Sequence, residues 1–291
     1  MKKSSKRASR PLYQIAVPTD FYPASTSAMQ FAESLAKVPR TRVTAVYAID
    51  PLEYSFGPKD LRELKKEQVW AVAQESMARW LQEGGFSSRG TLTEGEAAPA
   101  IAQFIAANET DLIVLSTSAR LRAARLALGS VAEEIFRKSA CPVFVLGPKA
   151  RASYRPLTRL LFATDLEPHS LAALPLLSRF ARKFKCTVSV IRAIDPGIRS
   201  RTERIRIRKE TQEKIEAAAD ADLRKRISQI HVEFGHPVVA IPRFANRVRA
   251  SAIVMGVRGG GDWERATTHI PWALAHRIIA GAKYPVLTIR G

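Results

Sequence analysis

The sequence predicts an α/β protein of two tandem doubly wound domains. Each has a five-stranded parallel sheet in the order 3-2-1-4-5, with helices on both faces. Three observations carry this expectation. Residues 112–115 and 143–146 are apolar runs without polar alternation, the pattern of strands covered on both faces. Segments of helical spacing lie between such runs, so strand and helix alternate and crossover connections follow. The scheme then recurs: Ile113-Val114-Leu115-Ser116 answers to Ile253-Val254-Met255-Gly256, and Cys141-Pro142-Val143 to Tyr284-Pro285-Val286. A period of about half the chain marks a duplicated module.

Residues 13–18 form the first strand, closed by Thr19-Asp20. Residues 25–37 place Met29, Ala32, Leu35 and Ala36 at helical spacing, and residues 42–49 are β-branched enough for a second strand. Residues 58–84 read as a long amphipathic helix that Gly84-Gly85 stops. A strand at 87–93, a helix at 97–107, the strand at 112–115, a helix opening at Gly129-Ser130 and the strand at 143–146 complete the first half. The second half repeats it: strand 159–164 closed by Asp165, helix 168–184, strand 186–194, helix 201–226, strand 228–234, helix 238–249, then strand, helix and strand to the end. The expected divisions are a disordered basic tail at 1–11, a first domain at 12–148, a linker at 149–157 and a second domain at 158–291.

Composition narrows the function. Hydrophobic residues make up 46% and charged residues 25% of the 291, a globular balance. No apolar run reaches the length of a membrane span. No apolar secretory core follows the basic N-terminus, so a cytoplasmic protein is expected. The two cysteines, Cys141 and Cys186, form neither a disulfide framework nor a metal-ligand spacing. The net charge of +19 favours anionic partners: nucleotides, nucleic acid or an acidic membrane surface. No aromatic residues interleave the basic runs, and zinc-finger, RRM and KH signatures are absent, so specific nucleic-acid recognition is disfavoured.

The chemistry-bearing residues gather at strand ends. In open α/β sheets ligands sit outside the carboxyl ends of the strands. Asp20 and Asp165 stand there, without a second acid or histidine at a telling spacing, so they are expected to frame a pocket and not to catalyse. Gly129-Ser130 offers backbone N–H groups and a hydroxyl at a helix start, a site for an anion. Ser130 lacks the Gly-x-Ser-x-Gly setting of a nucleophile. His269 and His276 have no acidic or cysteine partners nearby, so no metal is expected.

Taken together, Val17–Asp20 (VPTD), Leu92-Thr93-Glu94-Gly95, His231–Pro237 (HVEFGHP), Leu128–Glu133 (LGSVAE) and Cys141–Val143 (CPV) resemble the universal stress protein family over nearly all of residues 12–148 and 157–291. The resemblance implies ATP or a related nucleotide above the carboxyl edge of the sheet. Asp20 and Ala48, with Pro18 beside them, or Asp165 and Ala193 would frame the base. A loop of the form Gly, two residues, Gly, nine residues, Gly, Ser or Thr would wrap ribose and phosphates. The chain departs from that pattern in both halves. The first replaces the leading glycines by Ser116 and Ala119 and keeps Gly129 and Ser130. The second keeps Gly256 and Gly259 but ends on His269 and Ile270. Arg258 stands ready to pair with phosphate.

The resemblance also implies pairing of the last strands, 143–146 with 286–289, so that one chain mimics a dimer, with further homo-oligomers open to it. No metal is expected beyond magnesium carried by a nucleotide, and no enzyme activity, since no general base and no Walker-type lysine is evident. Two functions stay open. One is a nucleotide-binding protein of the stress response without efficient catalysis. The other is a nucleotide-independent interaction protein whose basic surface docks an acidic partner, nucleic acid or membrane.

Overall fold

The computed structural model describes residues 13–117, 130–139, 141–150, 157–194, 196–198, 200–257 and 270–290, with side chains left aside at 130, 137, 138 and 270–273. The expected tail, most of the linker, and Gly129, Arg258 and Gly259 lie outside the described residues. Two compact units emerge: described residues up to 139, with Cys141, fall in the first, and those from 142 onward in the second.

The first unit runs β1 (Tyr13–Pro18), α1 (Pro23–Ala36), β2 (Thr41–Ile49), α2 (Lys59–Glu83), β3 (Arg89–Glu94), α3 (Ala97–Ala107), β4 (Leu112–Ser116) and α4 (Ser130–Lys138). Its strands are ordered β3-β2-β1-β4 and all run parallel. Ile15, Ala16 and Val17 of β1 are buried, as are Leu112–Leu115 of β4, because helices cover both faces. Met29, Phe31, Ala32 and Leu35 form the buried stripe of α1.

The second unit runs β5 (Val143–Leu146), β6 (Arg159–Ala163), α5 (Pro168–Leu171), α6 (Leu174–Lys183), β7 (Thr187–Ile194), α7 (Arg201–Ala218), α8 (Ala221–Arg226), β8 (Ile227–Phe234), α9 (Pro237–Arg247), β9 (Ala252–Val257), α10 (Ile270–Gly281) and β10 (Val286–Arg290). The strands of the second half take the order β8-β7-β6-β9-β10, which is the expected 3-2-1-4-5, all parallel. β5 falls in the second unit, where it runs antiparallel to β10 and makes that sheet mixed. The physical reason lies in four fully buried residues whose backbone groups are answered by β10 in the register Val143↔Thr288, Phe144↔Leu287 and Val145↔Val286. Thr288 adds a side-chain bond, Oγ1 donating to the Val143 carbonyl at 3.2 Å.

Two expected helices are broken. Residues 168–184 divide into α5 and α6, with Pro175 in the first turn of α6. Proline has no N–H for the carbonyl four residues back and its ring crowds that carbonyl. Residues 201–226 divide into α7 and α8 because Asp220 caps α8, its Oδ1 accepting from Leu223 N at 2.7 Å and from Ser178 Oγ at 2.9 Å. Those bonds, the Leu223 amide first, hold the Asp220 carboxyl below its ordinary pKa.

The duplication is written in the backbone. Among the described residues six non-glycine residues take left-handed φ: Phe21 (62°), Arg40 (61°), Glu109 (48°), Leu166 (68°), Lys185 (54°) and Arg249 (50°). They form three matched pairs in the two halves, Phe21 with Leu166, Arg40 with Lys185, and Glu109 with Arg249. The strand starts match as well. Asp111 Oδ2 accepts from Gln14 N at 2.9 Å, and Ser251 Oγ from Arg159 N at 3.0 Å.

Candidate functional site

The carboxyl end of β1 turns sharply into α1, and side chains fix the turn. Thr19 N donates to the Val46 carbonyl of β2 at 2.9 Å. Thr19 Oγ1 accepts from Phe21 N at 3.0 Å, and Asp20 Oδ1 accepts from Tyr22 N at 3.1 Å. These bonds offset the roughly 1–2 kcal/mol that a left-handed residue costs at Phe21. Ser25 Oγ lies 3.0 Å from Asp20 Oδ1 and 2.8 Å from the Tyr22 carbonyl oxygen, with one proton to offer, and accepts from Thr19 Oγ1 at 3.1 Å. Asp20 is thus oriented through one oxygen. Its other oxygen, Oδ2, has no hydrogen-bond partner among the described residues, and the side chain is exposed.

The second unit repeats the turn. Thr164 Oγ1 accepts from Leu166 N and from Ser170 Oγ, at 3.0 and 2.8 Å, and Asp165 Oδ1 accepts from Glu167 N at 3.0 Å. The difference is at the second oxygen: Asp165 Oδ2 faces His169 Nε2 at 3.5 Å. The signal for this turn was present in sequence as TDFYPAS and TDLEPHS, which share threonine, aspartate, proline and serine at the same spacing. Reading Asp20 and Asp165 alone passed over Thr19, Ser25, Thr164, Ser170 and His169.

Pro18 ends β1 and pairs with Val46, and Ala48 stands near the end of the neighbouring β2, opposite Thr93. Pro18, Asp20 and Ala48 are therefore brought to one rim. Asp165, Ala193 and Gly256 are brought to the corresponding rim of β6, β7 and β9. Ser130 opens α4.

Gly256 has a packing reason of its own. A Cβ there would stand 2.6 Å from Ser170 Cα and 2.9 Å from the His169 carbonyl oxygen, both backbone atoms of α5. Space beside the helix accounts for this glycine without a ligand. The first unit has Ser116 at the matching place, under an unbroken α1.

Aromatic packing backs the first rim. Phe21 stacks on Tyr47 at 4.6 Å and meets the edge of Trp80 at 6.0 Å. Trp80 Nε1 donates to Thr26 Oγ1 at 2.9 Å. Burial, then the charges of Glu53 and Asp20, push the Tyr47 hydroxyl up. One strand further out Glu94 is neutralised: Tyr54 OH donates to Oε1, and Lys66 Nζ reaches both oxygens at 3.0 and 2.9 Å. These bonds, Tyr54 first, lower the Glu94 pKa. Burial, then the bond to Glu94, raises Tyr54 to about 12.

Chemically, the first rim offers an oriented acceptor beside a small apolar residue and an aromatic backing. That suits a ligand with N–H or O–H donors, such as an adenine amino group or a ribose hydroxyl. Among the described residues no group of three histidine, cysteine, aspartate or glutamate side chains could hold a metal. No helix among them is long and apolar enough to cross a membrane.

The chain matches the profile of the Universal stress protein family twice, over residues 13–147 and 156–290. It is 31% identical over 138 residues to Universal stress protein MJ0531 of Methanocaldococcus jannaschii, an overlap of 46% of this chain and 81% of that protein. In fold it is similar to a universal stress protein from Archaeoglobus fulgidus DSM 4304, with a TM-score of 0.62, 21% identity and 96% of each chain covered. It is similar also to the functionally unknown protein PA1789 from Pseudomonas aeruginosa PAO1, with a TM-score of 0.59, 18% identity and 96% and 92% of the two chains covered.

Proposed function

This chain belongs to the universal stress protein family in its tandem two-domain form, and on that footing we propose that it binds an adenine nucleotide at the rim of its first unit, in the service of a stress response and without efficient turnover. The observation that carries the reading is Asp20. Its Oδ1 is held by Tyr22 N and Ser25 Oγ, so the carboxylate is oriented before a ligand arrives, and Oδ2 is left to accept from one. Asp165 shares its second oxygen with His169, and Gly256 answers to packing, so the second rim has less to offer a base. Gly129 and Ser130 would receive the phosphates of a nucleotide held at the first rim, with any magnesium carried by the nucleotide. The reading includes a cytoplasmic setting, which the buried cysteines Cys141 and Cys186 suit.

The test is calorimetric titration of ATP into the full chain and into Asp20→Asn. Loss of the charge-assisted acceptor should weaken binding about tenfold or more, since such bonds contribute roughly 1.5–3 kcal/mol. Asp165→Asn should change it little. Equal affinity in Asp20→Asn and the parent overturns the reading. A phosphate-release assay with magnesium checks the second clause, and multiple turnovers per minute would contradict it.

A second reading is favoured by the net charge of +19. Here the protein docks an acidic macromolecule through its basic surface and needs no nucleotide. Absence of ATP binding in the titration, with salt-sensitive retention on an anionic partner, would select it.

A further inference from the structure

We propose that the carboxyl-end rim of β7 and β8 in the second unit is a phosphate-recognition site, formed by Arg204 and Arg208 over the ring of Phe234. Phe234 ends β8 opposite Ile194 of β7. The Arg204 guanidinium lies 4.6 Å and that of Arg208 5.4 Å from the ring centroid. The two arginines stand one turn apart on α7, with Cβ atoms about 6 Å apart on one helix face, and both heads lie over the same ring. Arg204 Nε donates to the Ile198 carbonyl at 2.8 Å, which fixes that fork and leaves its two terminal nitrogens.

Neither guanidinium meets a carboxylate among the described residues. The acids of α7 are engaged with other partners: Glu203 lies 3.9 Å from Arg206, Glu213 3.8 Å from Lys209, and Glu210 2.7 Å from Lys214. Glu216 accepts from Gln212 at 2.9 Å. Arg192, on β7, is engaged by Thr211 Oγ1 at 3.0 Å and belongs to the structure beneath. Two cations held in place by a ring and a carbonyl, with no carboxylate partner among the described residues, form a pre-ordered fork for a tetrahedral dianion.

The first unit shows what the alternative looks like. Gly95 and Gly235 both donate their N–H across to the preceding strand, to Ile49 and Ile194, which makes Glu94 the counterpart of Phe234. There the cation from the long helix, Lys66, is consumed by Glu94. In the second unit a ring replaces that carboxylate, and no described acid takes up the charge of the two arginines. The chemistry is that of a phosphate monoester or a pyrophosphate. The site lies in the other unit from Asp20, so it stands or falls apart from the nucleotide reading above.

The probe is inorganic pyrophosphate, which has no base to read, titrated into the full chain by calorimetry at fixed moderate salt. Arg204→Gln with Arg208→Gln should weaken binding at least tenfold. Phe234→Glu, which installs the first unit's arrangement, should do the same by consuming the arginines. Circular dichroism melts of each variant verify the fold, and Phe234→Leu, which removes the ring without adding charge, should fall between. Competition with ADP distinguishes the source: equal displacement indicates the anion alone, tighter displacement a nucleoside phosphate. Unchanged pyrophosphate affinity in both the double variant and Phe234→Glu overturns the proposal. So does a single-stranded RNA that outcompetes pyrophosphate and loses the same fold in the double variant, because the surface then reads a polyanion.

Discussion

Phe144 of β5 lies directly opposite Leu287 of β10, and the two residues hold equivalent positions in the repeat. The pairs on either side, Val143↔Thr288 and Val145↔Val286, exchange the same two positions. The register of the two strands is therefore symmetric about the Phe144–Leu287 pair. Phe144 is fully buried and its ring lies 5.8 Å from that of Phe180. Phe144→Ala removes a large side chain that close packing cannot replace, and should cost about 3–5 kcal/mol. Urea unfolding at unchanged slope measures it, with Val239→Ala, a 65% exposed position, as a control expected within about 0.5 kcal/mol.

The Tyr54–Glu94–Lys66 cluster predicts opposite pH limbs. Tyr54 is raised from 10 to about 12, so its share of stability is complete below pH 10 and fades as pH rises through the folded value. Glu94 is lowered, so its share is present above its unfolded pKa, near 4.5, and fades as pH falls through the lower folded value. Tyr54→Phe should flatten the alkaline limb of a melting-temperature profile, and Glu94→Gln the acid limb. A Tyr54→Phe profile that still falls between pH 10 and 12 as steeply as the parent's would refute this account.

Gly256→Ala would drive a methyl group into the backbone of α5, where Ser170 Cα stands 2.6 Å from the Cβ position. Backbone yields less readily than a side-chain tip, so destabilisation of about 1–3 kcal/mol is expected. A thermal melt checks the cost. A melt unchanged from the parent would show that α5 is free to recede.

Cys186 is buried, and burial pushes its thiol up to about 12, with Arg226 pulling weakly the other way. Thiolate is the reactive species. A disulfide reagent at pH 8 should leave Cys186 unmodified in the folded protein and label it on unfolding, as mass spectrometry of the peptide would show. Rapid native labelling would place the residue in an opened segment.

Much of this was readable from the chain. Uniformly apolar runs such as Leu112–Leu115 identified buried parallel strands, because a strand covered on both faces needs no polar alternation. The place of Asp20 followed from the end of the first strand, and that of Ala48 from the family resemblance. What escaped depends on long-range partners. Ala217-Ala218-Ala219 reads as uninterrupted helix, and the break comes from Asp220, which caps α8 at Leu223 N and is held by Ser178 from another segment. Arg204 and Arg208 stand in a run of charge on the expected helix 201–226, and nothing in the sequence places Phe234 beneath them. The pairing of β5 with β10, some 140 residues away in sequence, came with the family resemblance and is present in the backbone.

The three matched left-handed pairs give the protein engineer a handle. Glycine adopts that conformation without a Cβ penalty, so Arg40→Gly and Lys185→Gly, or Glu109→Gly and Arg249→Gly, exchange the same residue type at the same kind of corner. One chain thus contains each experiment in duplicate, and whatever separates the members of a pair measures how far two copies of one module have diverged in the company they keep.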